Sequence, residues 1–193
     1  MPKTFQQPKQ FIYLNIQSTD LFPDNWLYIH SPNLKVGRIT NFRNWIPELY
    51  GNEKNTILAL EYWCYEIDSI WNEKDSDLIT LATKELEQTG LLKNSQVIDG
   101  YVYKINRCYP VYDRGYKDRL RPVEEFLSLI KGLSVIGRYG AFKYNNQDHS
   151  ILMGILAAEN IIKSTSHNLW EINTDYEVYQ EASVITKTGL VKK

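Results

Sequence analysis

The sequence predicts an α+β fold: a mixed, mainly antiparallel sheet with flanking helices, followed by one strand and one helix of the kind found in a layered α/β unit. Three observations predict it. Segments rich in β-branched and aromatic residues recur between residues 11 and 105, as strands require. Two later segments, 75–89 and 122–131, carry apolar residues at helical spacing. The last third then turns from a short β-branched stretch, Leu133 to Ile136, into a strongly apolar helix.

Taken in order, residues 1–10, with Pro2 and Pro8, read as a lead-in arm. Phe11 to Ile16 is a strand, and Leu21 to Asn25 is turn chemistry. Trp26–His30 and Lys35–Phe42 form two strands around a four-residue hairpin loop, Ser31 to Leu34. Ile57 to Tyr65 is almost continuously apolar, which predicts a central strand covered on both faces. Asp75 and Ser76 can cap a helix carrying Leu78, Ile79, Leu81, Ala82 and Leu86, with Gly90 as its stop. Val97 to Ile105 is again strand. Pro122 suits the first turn of a second helix bearing Val123, Phe126, Leu127 and Ile130. The final helix runs from Asp148 or Ser150 to Lys163, with apolar residues on every side, so it should be buried.

Composition narrows the function. With 22 Lys and Arg against 23 Asp and Glu, nothing favours nucleic acid or an anionic membrane as partner. The longest mainly apolar run, Ile151 to Ala158, is far short of the ~20 residues of a membrane span. The first seven residues lack the apolar core of a signal peptide. Cys64 and Cys108 are too few for a disulfide scaffold and read as small core residues. A reduced, cytoplasmic setting follows. The three histidines lack metal spacing, so no metal site is expected. No G-x-G-x-x-G, phosphate loop or G-x-S-x-G elbow occurs, and no catalytic residue is assigned. What the chain does have is 14 Tyr and 5 Trp, side chains that combine a flat apolar body with a polar tip.

Residues 133–163 form the most suggestive constellation. A strand ends at Gly137, Arg138 can fork onto a diphosphate or carboxylate, Gly140 allows close approach, and a helix N-terminus follows at Asp148 to Ser150. The alternative is a plain strand–loop–helix connection with Arg138 on the surface.

The string Gly137-Arg138-x-Gly140-x-x-x-Tyr144-x-Asn146-x-Asp148, with its apolar helix, resembles the last flavin-binding segment of FAD-dependent enzymes of the amine oxidase and protoporphyrinogen oxidase type. Its motif is most similar to UDP-galactopyranose mutase-like proteins. Leu21 to His30, Val36-Gly37-Arg38-Ile39-x-Asn41-Phe42 and Tyr109 to Asp113 resemble the substrate-side domain of those relatives. The resemblance covers most of residues 11–180 and implies the C-terminal portion of such an oxidoreductase. Residues 1–10 are then the arm, 11–132 the substrate-side domain, 133–164 the FAD-binding segment with the leftover strand and helix of a Rossmann-like domain, and 165–193 an extension.

The resemblance also implies roles. Gly137 and Arg138 would lie on the flavin ribityl chain and diphosphate. Asp148 and the N–H groups of His149, Ser150 and Ile151 would face the ribityl chain and the isoalloxazine. Arg138, Tyr144, Tyr109 and Arg38 would meet a small-molecule substrate, with a nucleotide sugar as one class. Arg38, Tyr62, Trp63, Tyr109 and Tyr112 either line that cleft or are aromatic strand packing. FAD belongs to the complete protein and is not expected bound to this chain alone, which is expected to be inactive. The alternative class is a non-catalytic, aromatic-rich module for a glycan or peptide. Finally, an all-apolar helix and an orphaned strand edge predict self-association through residues 133–163.

Overall fold

A strand with strict alternation organises the sheet. In the computed structural model, which describes residues 6–172, 183–186 and 189–192, β1 spans Gln6–Ile16. Ile12, Leu14 and Ile16 are fully buried on one face, and Phe11, Tyr13 and Asn15 lie on the other. The lead-in arm expected over residues 1–10 is therefore strand from Gln6 onward. Lys9 stands opposite Trp63 and Gln10 opposite Tyr62; both Lys9 and Gln10 are buried, and the Gln10 amide donates to the Ile70 carbonyl at 2.9 Å.

The chain divides into two compact units, residues 1–109 and 110–193. The first is built on a five-stranded sheet of β2 (Trp26–Tyr28), β3 (Arg38–Asn41), β4 (Thr56–Trp63), β1 and β5 (Val97–Pro110), in that spatial order. The pairs β2–β3, β3–β4 and β4–β1 are antiparallel. The hairpin between β2 and β3 is longer than its expected four-residue loop, although Ile29 N–H still donates to the Gly37 carbonyl. Two one-turn helices, α1 (Phe42–Trp45) and α2 (Ser69–Asn72), interrupt the connections. Asn41 caps α1 by accepting from Arg43 N–H at 3.1 Å.

Helix α3 (Asp75–Gln88) follows its predicted periodicity, with Leu78, Ala82 and Leu86 buried. They join Ile12, Leu14, Ile16, Ile39, Leu58 and Leu60 in one core cluster. Gly100 on β5 permits this closeness: a β-carbon there would come within 2.9 Å of Ile79 and 3.1 Å of Leu14. Within this unit α3 covers only one face of β4. The opposite face carries Ala59, Glu61 and Trp63, of which Ala59 and Glu61 are buried, so β4 is a central strand covered on both faces up to the exposed Trp63, as its nearly continuous apolar run predicts.

The second unit contains α4 (Tyr116–Ser128), α5 (Gly137–Gly140), α6 (Gln147–Ile162) and an antiparallel hairpin of β6 (Ser183–Thr186) and β7 (Gly189–Lys192). Three expectations change here. Pro122 lies inside α4 rather than in its first turn, because the helix starts six residues earlier, behind left-handed Gly115. Leu133–Ile136 is not a strand: β6 and β7 pair only with each other, and a strand needs a hydrogen-bonding neighbour. And α6 is not buried all round. His149, Met153 and Ala157 face inward, whereas Ile151, Ile155, Ile161 and Ile162 are exposed.

Candidate functional site

The register of the first sheet places one row of side chains across four strands on the face away from α3. Tyr28 stands opposite Arg38, Arg38 opposite Glu61, and Glu61 opposite Phe11. Arg38 donates from Nε to Glu61 Oε1 at 2.6 Å and from Nη1 to the Tyr28 hydroxyl at 3.4 Å. Its guanidinium also lies 5.8 Å from the Tyr28 ring centroid. Burial disfavours the charged guanidinium, but the Glu61 hydrogen bond and charge outweigh it, and its pKa is raised.

Beside this row, Lys9 is fully buried and ion-paired with Glu61. Its ammonium sits 5.0–5.1 Å from the ring centroids of Phe11, Trp63 and Tyr109 and donates to the Tyr109 hydroxyl at 3.2 Å. Such a desolvated ion pair holds only with good geometry and further partners. The same face carries the stacked pair Trp26 and Trp45, with centroids 5.2 Å apart, and Tyr13 stacked on Phe42. The Tyr13 pKa is raised by burial and then by Glu61. Of the substrate-side residues expected from sequence, Arg38 and Tyr109 are thus brought into one network through Lys9 and Glu61, and Trp63 borders it. Lys9 and Glu61 were not anticipated. The visible signal was a lone Glu within the apolar run Ile57 to Tyr65.

Tyr62 belongs elsewhere. It points to the α3 face, is 1% exposed, and donates to Glu85 Oε2 at 2.9 Å. Glu85 also accepts from the Lys35 and Val36 N–H groups at 2.7 and 3.0 Å. Burial, and next the Glu85 charge, raise the Tyr62 pKa. This is a core staple joining α3 to the hairpin, and Tyr62 does not line a cleft. Cys64 and Cys108 are buried, as small core residues should be.

In the second unit, the loop between α5 and α6 gathers the other expected residues. Gly137 opens α5 with φ +77°, and a β-carbon there would meet open space. Arg138 donates from Nε and Nη2 to the Asn145 carbonyl at 2.9 and 2.6 Å, with its guanidinium 5.2 Å from the Tyr144 ring. It is a loop clasp rather than a loose surface side chain. The Tyr112 hydroxyl donates to the Phe142 carbonyl at 3.2 Å and accepts from the Tyr144 N–H at 2.7 Å. This buckles a loop in which Phe142 adopts φ +48°, so Tyr112 is a loop support. Asn145 is buried, and its Oδ1 has no hydrogen-bond partner among the described residues. At the start of α6, His149 N–H donates to Asp148 Oδ1 at 2.9 Å, and Ser150 N–H to the Asn146 carbonyl at 3.1 Å. The helix begins at Gln147, so the Ile151 N–H lies within its ladder. These three N–H groups are used inside the chain.

The whole fold can be set beside known structures. The crystal structure of reduced UDP-galactopyranose mutase superposes with a TM-score of 0.72 and 23% identity, over 86% of this chain and 35% of that one. The chain shares its fold with part of that mutase. A protein from Exiguobacterium sp. 255-15 assigned as a protoporphyrinogen oxidase also matches, with a TM-score of 0.52 and 16% identity over 70% of this chain and 30% of that one. The chain therefore spans about a third of the length of these structures. No family model and no curated protein matches the sequence. No helix among the described residues is long and apolar enough to cross a membrane.

Proposed function

We propose that this chain supplies the substrate-side sheet and the last flavin-contacting segment of an FAD-dependent oxidoreductase or mutase-like protein, in a cytoplasmic setting. The observation that carries the reading is the shared fold with UDP-galactopyranose mutase over 86% of the chain. The absence of G-x-G-x-x-G from these 193 residues means that the dinucleotide grip must come from other residues, and the chain alone is inactive. Arg38 and Tyr109 would meet the substrate, a nucleotide sugar being the class we favour, and Arg138 and Tyr144 would contribute a second contact.

The flavin-facing set fits in part. Gly137, with open space in place of a side chain, leaves room for the flavin chain, and Arg138 and Asp148 remain its polar neighbours. The N–H groups of His149, Ser150 and Ile151 are withdrawn from that role by their internal bonds. FAD, when bound, supplies hydride transfer or an N5 nucleophile toward a sugar carbon. The chain's own residues bind and orient.

Titration of the purified chain with UDP-galactose, followed by tryptophan fluorescence, tests the reading, with FAD titrated in parallel. The chain is expected to be colourless, to bind FAD weakly, and to bind the nucleotide sugar with a change that Arg38→Ala diminishes. A yellow protein with stoichiometric flavin overturns the division of labour. The exposed Trp26, Tyr28, Tyr101 and Tyr103 favour the second reading, a glycan or peptide module without catalysis. Binding of an oligosaccharide but no nucleotide sugar would establish it.

A further inference from the structure

The fully buried Lys9 is unexplained by the fold alone. An ammonium in a sheet face costs desolvation, and an apolar side chain between Phe11, Trp63 and Tyr109 would pack without it. What the ammonium does is occupy one oxygen of Glu61, Oε2, while Oε1 takes Arg38 Nε. Glu61 is thereby held from two sides, its side chain only 3% exposed. It in turn fixes the plane of a guanidinium whose Nη1 edge is pinned by Tyr28. The remaining Nη2 donors have no partner among the described residues, and the Arg38 side chain is 28% exposed. Two positive charges against one carboxylate leave this cluster with a net positive charge.

We infer that Lys9 and Glu61 are positioning residues: their buried pair locks the Arg38 guanidinium so that its outer edge presents a preformed fork to an oxyanion of the substrate. This rests on the reading of the face as substrate-binding. Locking matters because a free arginine loses several rotamers on binding, whereas one already held by two partners loses few. Trp63 lies over Gly37 on one side and near Lys9 on the other, so its emission reports on the Lys9 cluster.

The test uses the full chain, with inorganic pyrophosphate and glutarate as separate probes, so that phosphate and carboxylate sources are distinguished by which binds tighter. Arg38→Ala is expected to weaken binding of the preferred probe by roughly tenfold or more, and Arg38→Lys nearly as much, since an ammonium cannot fork. The deciding variant is the double change Lys9→Met with Glu61→Gln, which removes one charge of each sign and leaves the local charge unchanged. Circular dichroism checks that it folds. Weakening of roughly fivefold to tenfold is expected. Glu61→Gln alone raises the local positive charge, so a purely electrostatic site would bind the anion more tightly. Weaker binding there supports positioning, and tighter binding overturns it. Should the double variant unfold, Glu61→Gln and the loss of a slowly exchanging Arg38 Nε–H signal decide between the same outcomes. If Arg38→Ala weakens binding and the double variant does not, the positioning role fails while the substrate face stands. If wild type binds neither probe, or Arg38→Ala changes nothing, both fail.

Discussion

The six-membered ring of Trp63 occupies the space where a β-carbon on Gly37 would stand: the nearest ring carbon, Cζ3, would lie 1.5 Å from it. Gly37 also donates its N–H to the Glu61 carbonyl at 2.9 Å, so its backbone cannot back away. Gly37→Ala must therefore expel the indole from the Lys9 cluster. A loss of about 1–3 kcal/mol is expected, as for overpacking elsewhere, together with a changed tryptophan emission. Thermal melts and fluorescence of the variant check it. An unchanged emission spectrum would mean that Trp63 has another place to go.

Glu85 collects three donors, and its two nearest substitutions should differ sharply. Tyr62→Phe removes one hydrogen bond while Val36 still serves the same oxygen, an expected loss of about 1 kcal/mol. Glu85→Ala strands the Lys35 and Val36 N–H groups and the buried Tyr62 hydroxyl, with an expected loss of about 3 kcal/mol or more. Equilibrium urea unfolding of both variants measures the difference. Equal losses would show that water replaces the carboxylate.

Cys64 has a pH signature. Burial, and then the Asp68 charge, push its thiol up to about 11 from 9.0, with Lys104 opposing. A thiol that keeps its proton longer in the folded chain contributes stability that is fully present below its unfolded value and lost as pH rises through the folded one. Stability should thus fall between pH 9.0 and about 11, and Cys64→Ala should flatten that part of the profile. Alkylation of Cys64 in the native chain should be slow at about pH 8 and accelerate on unfolding.

Ile151, Ile155, Ala158 and Ile162 follow one another along the exposed side of α6, an apolar stripe at helical spacing. Covering each isoleucine is worth roughly 1.5–3 kcal/mol, so the chain is expected to self-associate through residues 133–163. Ile155→Glu should shift light scattering at micromolar concentration toward monomer without loss of helicity. A wild-type chain that stays monomeric removes the stripe as an association surface. Leu133–Ile136 contributes no strand edge to this association.

The sequence reveals side-chain type and period well and partners poorly. Alternation at Ile12, Leu14 and Ile16 and the spacing of Leu78, Ala82 and Leu86 made β1 and α3 legible, because burial of one face imposes a period. Leu133–Ile136 misled because four apolar, partly β-branched residues suit a strand only if another strand lies beside them. Lys9, Glu61 and Glu85 are not singled out by the sequence, since nothing local reveals that Lys9 pairs with Glu61, 52 positions on, or that Glu85 takes the Tyr62 hydroxyl, 23 positions back. Arg38, Tyr109, Arg138 and Tyr144 were legible as candidates, whereas the clasp on the Asn145 carbonyl and the Lys9–Glu61 pair depend on long-range register or loop conformation.

The position of β1 between β4 and β5 has a consequence for synthesis. Of the strands in this sheet β1 is made first, yet it receives its first neighbour only when Trp63 has been made, and its second only near Pro110. Until then its unpaired backbone and the ammonium of Lys9 remain in water, and the sheet can close only through contacts far apart in sequence, which makes assembly slow. Nascent chains stalled before residue 97 should therefore hold a β1 that proteases still cut.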